Sequence, residues 1–167
     1  MRRILSMLLQ NEAGALARVA GMFSARGYNI DSLTVAPTHD PSVSRLTLVT
    51  YGDETVIDQI VKQSRKLVDV IEIADLTSRD HLECELLIVK VGVAQGKASV
   101  LAACVRRHPR ALLFDESEDT RTIQFTGAGS EINAFLSELA SVARVLELAR
   151  SGTAALDRGE VMLAAMV

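Results

Sequence analysis

The first strongly patterned stretch is Ile4-Leu5-Ser6-Met7-Leu8-Leu9, an apolar run that predicts a strand over Arg3 to Gln10. The period then lengthens. Leu16, Val19, Ala20 and Phe23 fall at i, i+3, i+4 and i+7, which predicts an amphipathic helix from Gly14 to Arg26 with those four side chains inward. Asn29 to Ala36 and Ser44 to Tyr51 return to strand character, separated by a turn holding Pro37 and Pro41, where continuous pairing is forbidden. Val56, Ile57, Ile60 and Val61 mark the inward face of a second helix, Glu54 to Lys66. Val68 to Leu76 then closes the set with a strand.

The same order recurs. Glu83 to Val91 predicts a strand, Lys97 to Arg107 a helix with Ala98, Leu101, Ala102 and Val105 inward, and Ala111 to Glu116 with Thr122 to Thr126 a strand pair. Ile132, Phe135, Leu136 and Leu139 mark a fourth helix before a last strand, Ala143 to Ala149. The closing strands echo one another, Val70-Ile71-Glu72-Ile73-Ala74 against Val145-Leu146-Glu147-Leu148-Ala149. Two βαββαβ units of the ferredoxin-like kind follow, an α+β architecture in which each antiparallel sheet carries both helices on one face. The polar stretch Thr77 to His81 separates them, giving domains 1–77 and 82–160 and an apolar tail, 161–167.

Length and charge add bounds. The chain has 167 residues, 49% of them hydrophobic, enough for one ordinary domain or two small ones. Its net charge is -3, its basic residues are scattered, and aromatics are 4%, so nucleic acid is not an expected partner. Arg2-Arg3 followed by six residues, Ile4 to Leu9, falls short of the roughly 7 to 15 of a secretion signal core. No stretch approaches the roughly 18 apolar residues of a membrane span. A cytoplasmic chain is expected. Cys84 and Cys104 lack any ligand spacing and read as reduced, small apolar residues, while His39, His81 and His108 lie on separate segments as surface or turn histidines, with no metal site implied.

The stretch from Asn11 to Val35 carries the candidate chemistry. Asn11 and Gly14 bracket a helix start, whose first N–H groups lack intrahelical partners and attract a carboxylate. Gly14 lets a ligand approach the backbone, and an amide at Asn11 or Asn29 can accept from an ammonium and donate to a carboxylate, as a zwitterion needs. The plain alternative is structural: Asn11 as a helix N-cap and Arg26-Gly27 as a helix end.

Asn11-x-x-Gly14-x-Leu16-x-Arg18-Val19, then Phe23-Ser24-x-Arg26-Gly27-Tyr28-Asn29-Ile30-x-Ser32-Leu33-Thr34-Val35-Ala36-Pro37-Thr38, resembles the opening of the small regulatory subunits of acetolactate synthase, also called acetohydroxyacid synthase. Asp40-Pro41, Ser44-Arg45, Gln59-Ile60, Lys66 to Val70, Ala149 to Gly152 and Arg158-Gly159 are similar to that family's pattern as well. The resemblance implies that the first unit is an ACT domain, an amino-acid-binding regulatory module, and the second ACT-like. It implies a homodimer through the ACT domain, with the effector held at the subunit interface, and a catalytic large subunit as partner. That partner would carry thiamine diphosphate, Mg and FAD, with no cofactor in this chain. The implied role is activation of the large subunit and feedback inhibition by valine in branched-chain amino acid biosynthesis. Asn11, Ala13, Gly14, Ala15, Leu16, Asn29 and Ile30 are the implied effector-binding residues.

Two other classes remain open at this point: a stand-alone ACT-type sensor of another pathway, and a small ferredoxin-like enzyme. The chain holds no Gly-x-Ser-x-Gly, phosphate loop, His-Glu-x-x-His or Cys with an evident His partner, and no catalytic residue is assigned. Glu83 and Glu85 read as a solvated strand edge, and Asp115, Glu116, Glu118 and Asp119 as a solvated hairpin turn.

Overall fold

A computed structural model describes residues 1–163. The chain forms two compact units, Met1–Leu82 together with the chain from Thr153 onward, and Glu83–Gly152.

In the first unit β1 (Arg2–Gln10), α1 (Ala15–Ala25), β2 (Ser32–Pro37), β3 (Val43–Tyr51), α2 (Glu54–Ser64) and β4 (Val70–Asp75) form a sheet ordered β2-β3-β1-β4. Every pairing in it is antiparallel. Alternate residues of β1 divide its faces. Leu5, Met7 and Leu9 meet Val19 and Phe23 of α1 and Ile57 and Ile60 of α2 in the main core. Val56 and Val61 pack against that core at its margin, as their spacing predicts. Asp53 caps α2, its side chain accepting from Val56 N at 2.9 Å.

The second unit repeats the plan with β5 (His81–Gly92), which starts in the first unit, α3 (Ala98–Arg106), β6 (Ala111–Glu116), β7 (Thr120–Gly127), α4 (Gly129–Val142) and β8 (Arg144–Arg150). Its strands run β6-β7-β5-β8. Leu87, Val89 and Val91 alternate inward against Leu101 and Cys104 of α3 and Ile132, Phe135 and Leu139 of α4. Phe125 and Phe135 stack at 4.5 Å, and His108 meets Phe135 edge-on at 4.9 Å. His108 is therefore half-buried in the core margin, not a surface histidine. Its Nε2 lies 2.7 Å from Glu138 Oε2. Cys104 is fully buried, whereas Cys84 is exposed.

Residues 153 to 160, expected in the second unit, pack with the first. A short strand, β9 (Ala154–Asp157), follows Gly152. Ala155 is buried on the helix-free face of the first sheet with Ile4, Val49, Ala74 and Leu76, and Leu163 packs at its margin. Thr153 O accepts from Thr34 Oγ1 at 3.0 Å, and Thr153 N donates to Ser32 Oγ at 3.1 Å. Arg45 Nη2 donates to Leu163 O at 3.2 Å. Burial there pushes the Arg45 guanidinium below its ordinary value, with Asp157 opposing. Of the apolar tail, Val161 and Met162 are exposed, and residues 164–167 lie outside the described residues.

Glu85 corrects another expectation. It is 4% exposed, and its carboxylate takes both Arg150 Nε and Nη2 at 2.7 Å, so it is a buried carboxylate held bidentately by an exposed arginine rather than a solvated edge.

Candidate functional site

The turn between β1 and α1 is built from the opposite hairpin. Asn11 N donates to Ser42 O at 2.7 Å, and Asn11 Nδ2 to Pro41 O at 2.8 Å. Asn11 is thus tied to the β2–β3 turn and does not cap the helix, which overturns the capping reading. Its side-chain carbonyl oxygen remains an acceptor. The cap position of α1 falls instead to Gly14, at φ 91°, a left-handed conformation that a Cβ disfavours. Gly14 therefore precedes the first helical turn.

No side chain caps α1 and no acidic residue occupies its first turn. Ala15 N donates to Glu12 O at 3.2 Å, and the N–H groups that follow it keep their partial positive charge for an anion. Arg18 closes the back of the turn. Its Nε and Nη2 both reach Asp69, the latter at 2.7 Å, and its Nη1 lies 2.8 Å from where a Cβ on Gly14 would stand. Asp69 is 2% exposed and its carbonyl takes Gln10 N at 2.9 Å, so one residue fixes the end of β1 and the start of α1 together. The Arg18 hydrogen bonds hold the Asp69 carboxyl below the usual carboxylate range.

Between this turn and the edge strand β2 lies a cleft of about 280 Å³. Leu9, Gln10, Asn11, Glu12, Ala15 and Leu16 line one side, and Val35, Ala36, Pro37 and Ser44 the other. The helix puts Ala15, Val19, Met22 and Phe23 inward, which turns Leu16 out of the core, 39% exposed and facing the cleft. Ala20 is likewise only half-buried. The cleft offers apolar walls, a helix start for a carboxylate and the Glu12 carboxylate for an ammonium.

Of the seven residues singled out, Asn11, Ala15 and Leu16 line this cleft, and Ala13 and Gly14 form its turn. Asn29 and Ile30 do not join them. The Asn29 carbonyl accepts from Thr50 Oγ1 at 2.6 Å, at the far end of β3 from Ser44. Six strand steps, about 20 Å, separate the two ends. Asn29 and Ile30 also lie before β2 and not within it, since the strand begins at Ser32. Glu12, Pro37, Arg18 and Asp69 join the site in the structure without standing among the seven. Glu12 lay inside the motif between Asn11 and Gly14, whereas nothing local points to Asp69, which reaches Arg18 only through the fold.

Among the described residues no group of three or more His, Cys, Asp and Glu side chains is arranged to hold a metal ion, and no helix is long and apolar enough to cross a membrane.

Comparison with known proteins places both units in one family. The family model described as the AHAS small subunit-like ACT domain matches residues 5–72, and that described as the small subunit of acetolactate synthase matches residues 84–159. The acetolactate synthase isozyme 3 small subunits of Salmonella typhimurium and Escherichia coli are each 46% identical over 167 residues, covering 98% of this chain and 99% of the relative. The crystal structure of the small subunit from Thermotoga maritima superposes with a TM-score of 0.86 at 34% identity, covering 96% of this chain and 99% of the other.

Proposed function

The chain belongs to the family of acetolactate synthase small subunits, and on that premise we propose that it activates a catalytic large subunit and makes it sensitive to valine, the end product of the branched-chain pathway. The large subunit would hold thiamine diphosphate, Mg and FAD and condense 2-oxoacids in the cytoplasm. This chain would bind that subunit and hold the effector. The cleft beside β2 carries the effector reading: an uncapped helix start, an acidic side chain and short apolar walls fit a small aliphatic zwitterion.

The separation of Asn11 from Asn29 supports a homodimer. β2 is an edge of its sheet, and its Val35, Ala36 and Pro37 are exposed. Antiparallel self-pairing of that edge about a two-fold axis sets Ser32 of one protomer opposite Pro37 of its partner. Asn29 of one chain then stands at the cleft formed by Asn11 of the other, and each of two sites draws on both chains. An effector so placed acts directly on subunit packing.

Purified alone, the chain should form no acetolactate from pyruvate; added to its large subunit, it should raise the rate and bring in inhibition by valine. Condensation by the isolated chain, or a mixed enzyme indifferent to valine, would refute this reading.

A further inference from the structure

The second unit carries a cleft of its own along its leading helix, between α3 and the strands β6 and β7. Its volume is about 360 Å³, within the roughly 300–1,000 Å³ of small-molecule sites. Leu101 of α3 and Ile123 of β7 are buried at its base. Val105 and Leu113 form its walls. Leu113 pairs in register with Ile123 and so projects to the helix-facing side of the sheet, yet it remains 52% exposed. The short helix α3 does not reach over it. An apolar side chain left open on the core side of a sheet marks unfilled space in the packing.

Three charged side chains stand at the mouth, and two are already engaged. Arg121 Nη2 pairs with Glu116, and Arg121 Nη1 donates to Thr120 O at 2.8 Å and to Ser117 O. Arg106, at the end of α3, has no ion pair or hydrogen bond among the described residues. The uncommitted charge of the cleft is positive.

We propose that this cleft binds a small aliphatic carboxylate, its carbon body against Leu101, Leu113 and Ile123 and its carboxylate on Arg106. The geometry of the second unit carries this by itself, whatever the cleft of the first unit holds.

The test is a titration of the full chain with 4-methylpentanoate, followed by methyl NMR. Saturable shifts at Leu101, Val105, Leu113 and Ile123 are expected with Kd of about 1 mM, and a weakening of about tenfold in Arg106→Gln. 4-Methylpentylamine, with the same carbon body and an ammonium, should not saturate. Ala102→Met, which fills the cleft without touching the charges, should abolish binding while the remaining spectrum is preserved. No saturation by about 10 mM carboxylate, equal binding of the amine, unchanged affinity in Arg106→Gln, or shifts that follow protein concentration instead of ligand, as a second chain in the cleft would give, would each overturn the proposal.

Discussion

The two units share one topology and differ in how each handles the sheet surfaces that its helices leave bare. The first covers its helix-free face with the returning chain, Ala155 against Ile4 and Val49, and keeps a short edge strand of small and branched side chains. The second leaves Leu112, Leu113 and Phe114 of its edge strand β6 more than half exposed. Their helix starts differ as well. Both follow a glycine in the left-handed region, Gly14 and Gly96, and neither has a side-chain cap; among the described residues it is α1 that adds an asparagine tethered to the opposite hairpin and an arginine clamped to Asp69. The candidate site of the first unit is built from the turn and the edge, not from the topology, which both units possess equally.

The largest effect that separates the units is expected from Phe135→Ala. It removes a fully buried ring stacked on Phe125 and should cost about 3–5 kcal/mol, confined to the second unit. Hydrogen exchange should rise in β5, β7 and α4 while β1 and β3 stay protected. A uniform rise would mean that the two cores fold as one.

The converse change is a chain ending at Gly152. Uncovering Ile4, Val49 and Leu76 should cost about 3 kcal/mol and raise exchange in β1 and β3. A melting temperature equal to that of the full chain would show that the return segment adds nothing.

These two sites of loss also mark what the sequence made legible. The spacing of Val56, Ile57, Ile60 and Val61, and of Ile132, Phe135 and Leu139, predicted both helices and their buried faces, because periodicity is a local signal. The four-residue β9 has no such signal, and its place depends on a sheet formed from residues more than seventy positions earlier. Glu85 reads as solvated until Arg150, its partner across β5 and β8, is brought beside it. In the candidate site, Asn11 and Gly14 were visible as a pattern. The left-handed backbone of Gly14, the outward turn of Leu16 and the Asp69 clamp required the fold.

Gly14 gives the next effect. Gly14→Asp should erase the valine response, since its carboxylate competes for the same helix start. It should also lower stability by roughly 1–2 kcal/mol, because φ 91° strains any Cβ there and Arg18 must move. An unstrained, fully stable variant would contradict the left-handed turn. The equivalent loop of the second unit should tolerate the same change at Gly96 with backbone strain alone, since no atom crowds a Cβ there and no effector function is proposed for it.

The smallest effect lies in the polar clamps. Arg107 first, and then His108, hold the Glu138 carboxyl at about 2. A carboxyl depressed on folding stabilises fully above its unfolded value of about 4.3, and that contribution fades as pH falls through that value towards 2. Glu138→Gln should therefore be less stable than the parent at pH 6 and converge on it near pH 2, as urea melts would show. Discounted for its exposure to solvent, the gap should be small. A gap that widened towards low pH would reverse the assignment.

The central claim, a valine site shared between two chains, is tested most directly by mixing variants. Asn11→Ala and Asn29→Ala should each lose valine binding as homodimers. Unfolded and refolded together, they form mixed dimers in which one of the two sites has both residues changed and the other has both intact. Calorimetry should then recover valine binding of native affinity, at one site per mixed dimer. Recovery of none, with dimers formed and both variants folded, would mean that no site takes Asn11 from one chain and Asn29 from the other, and would contradict the account.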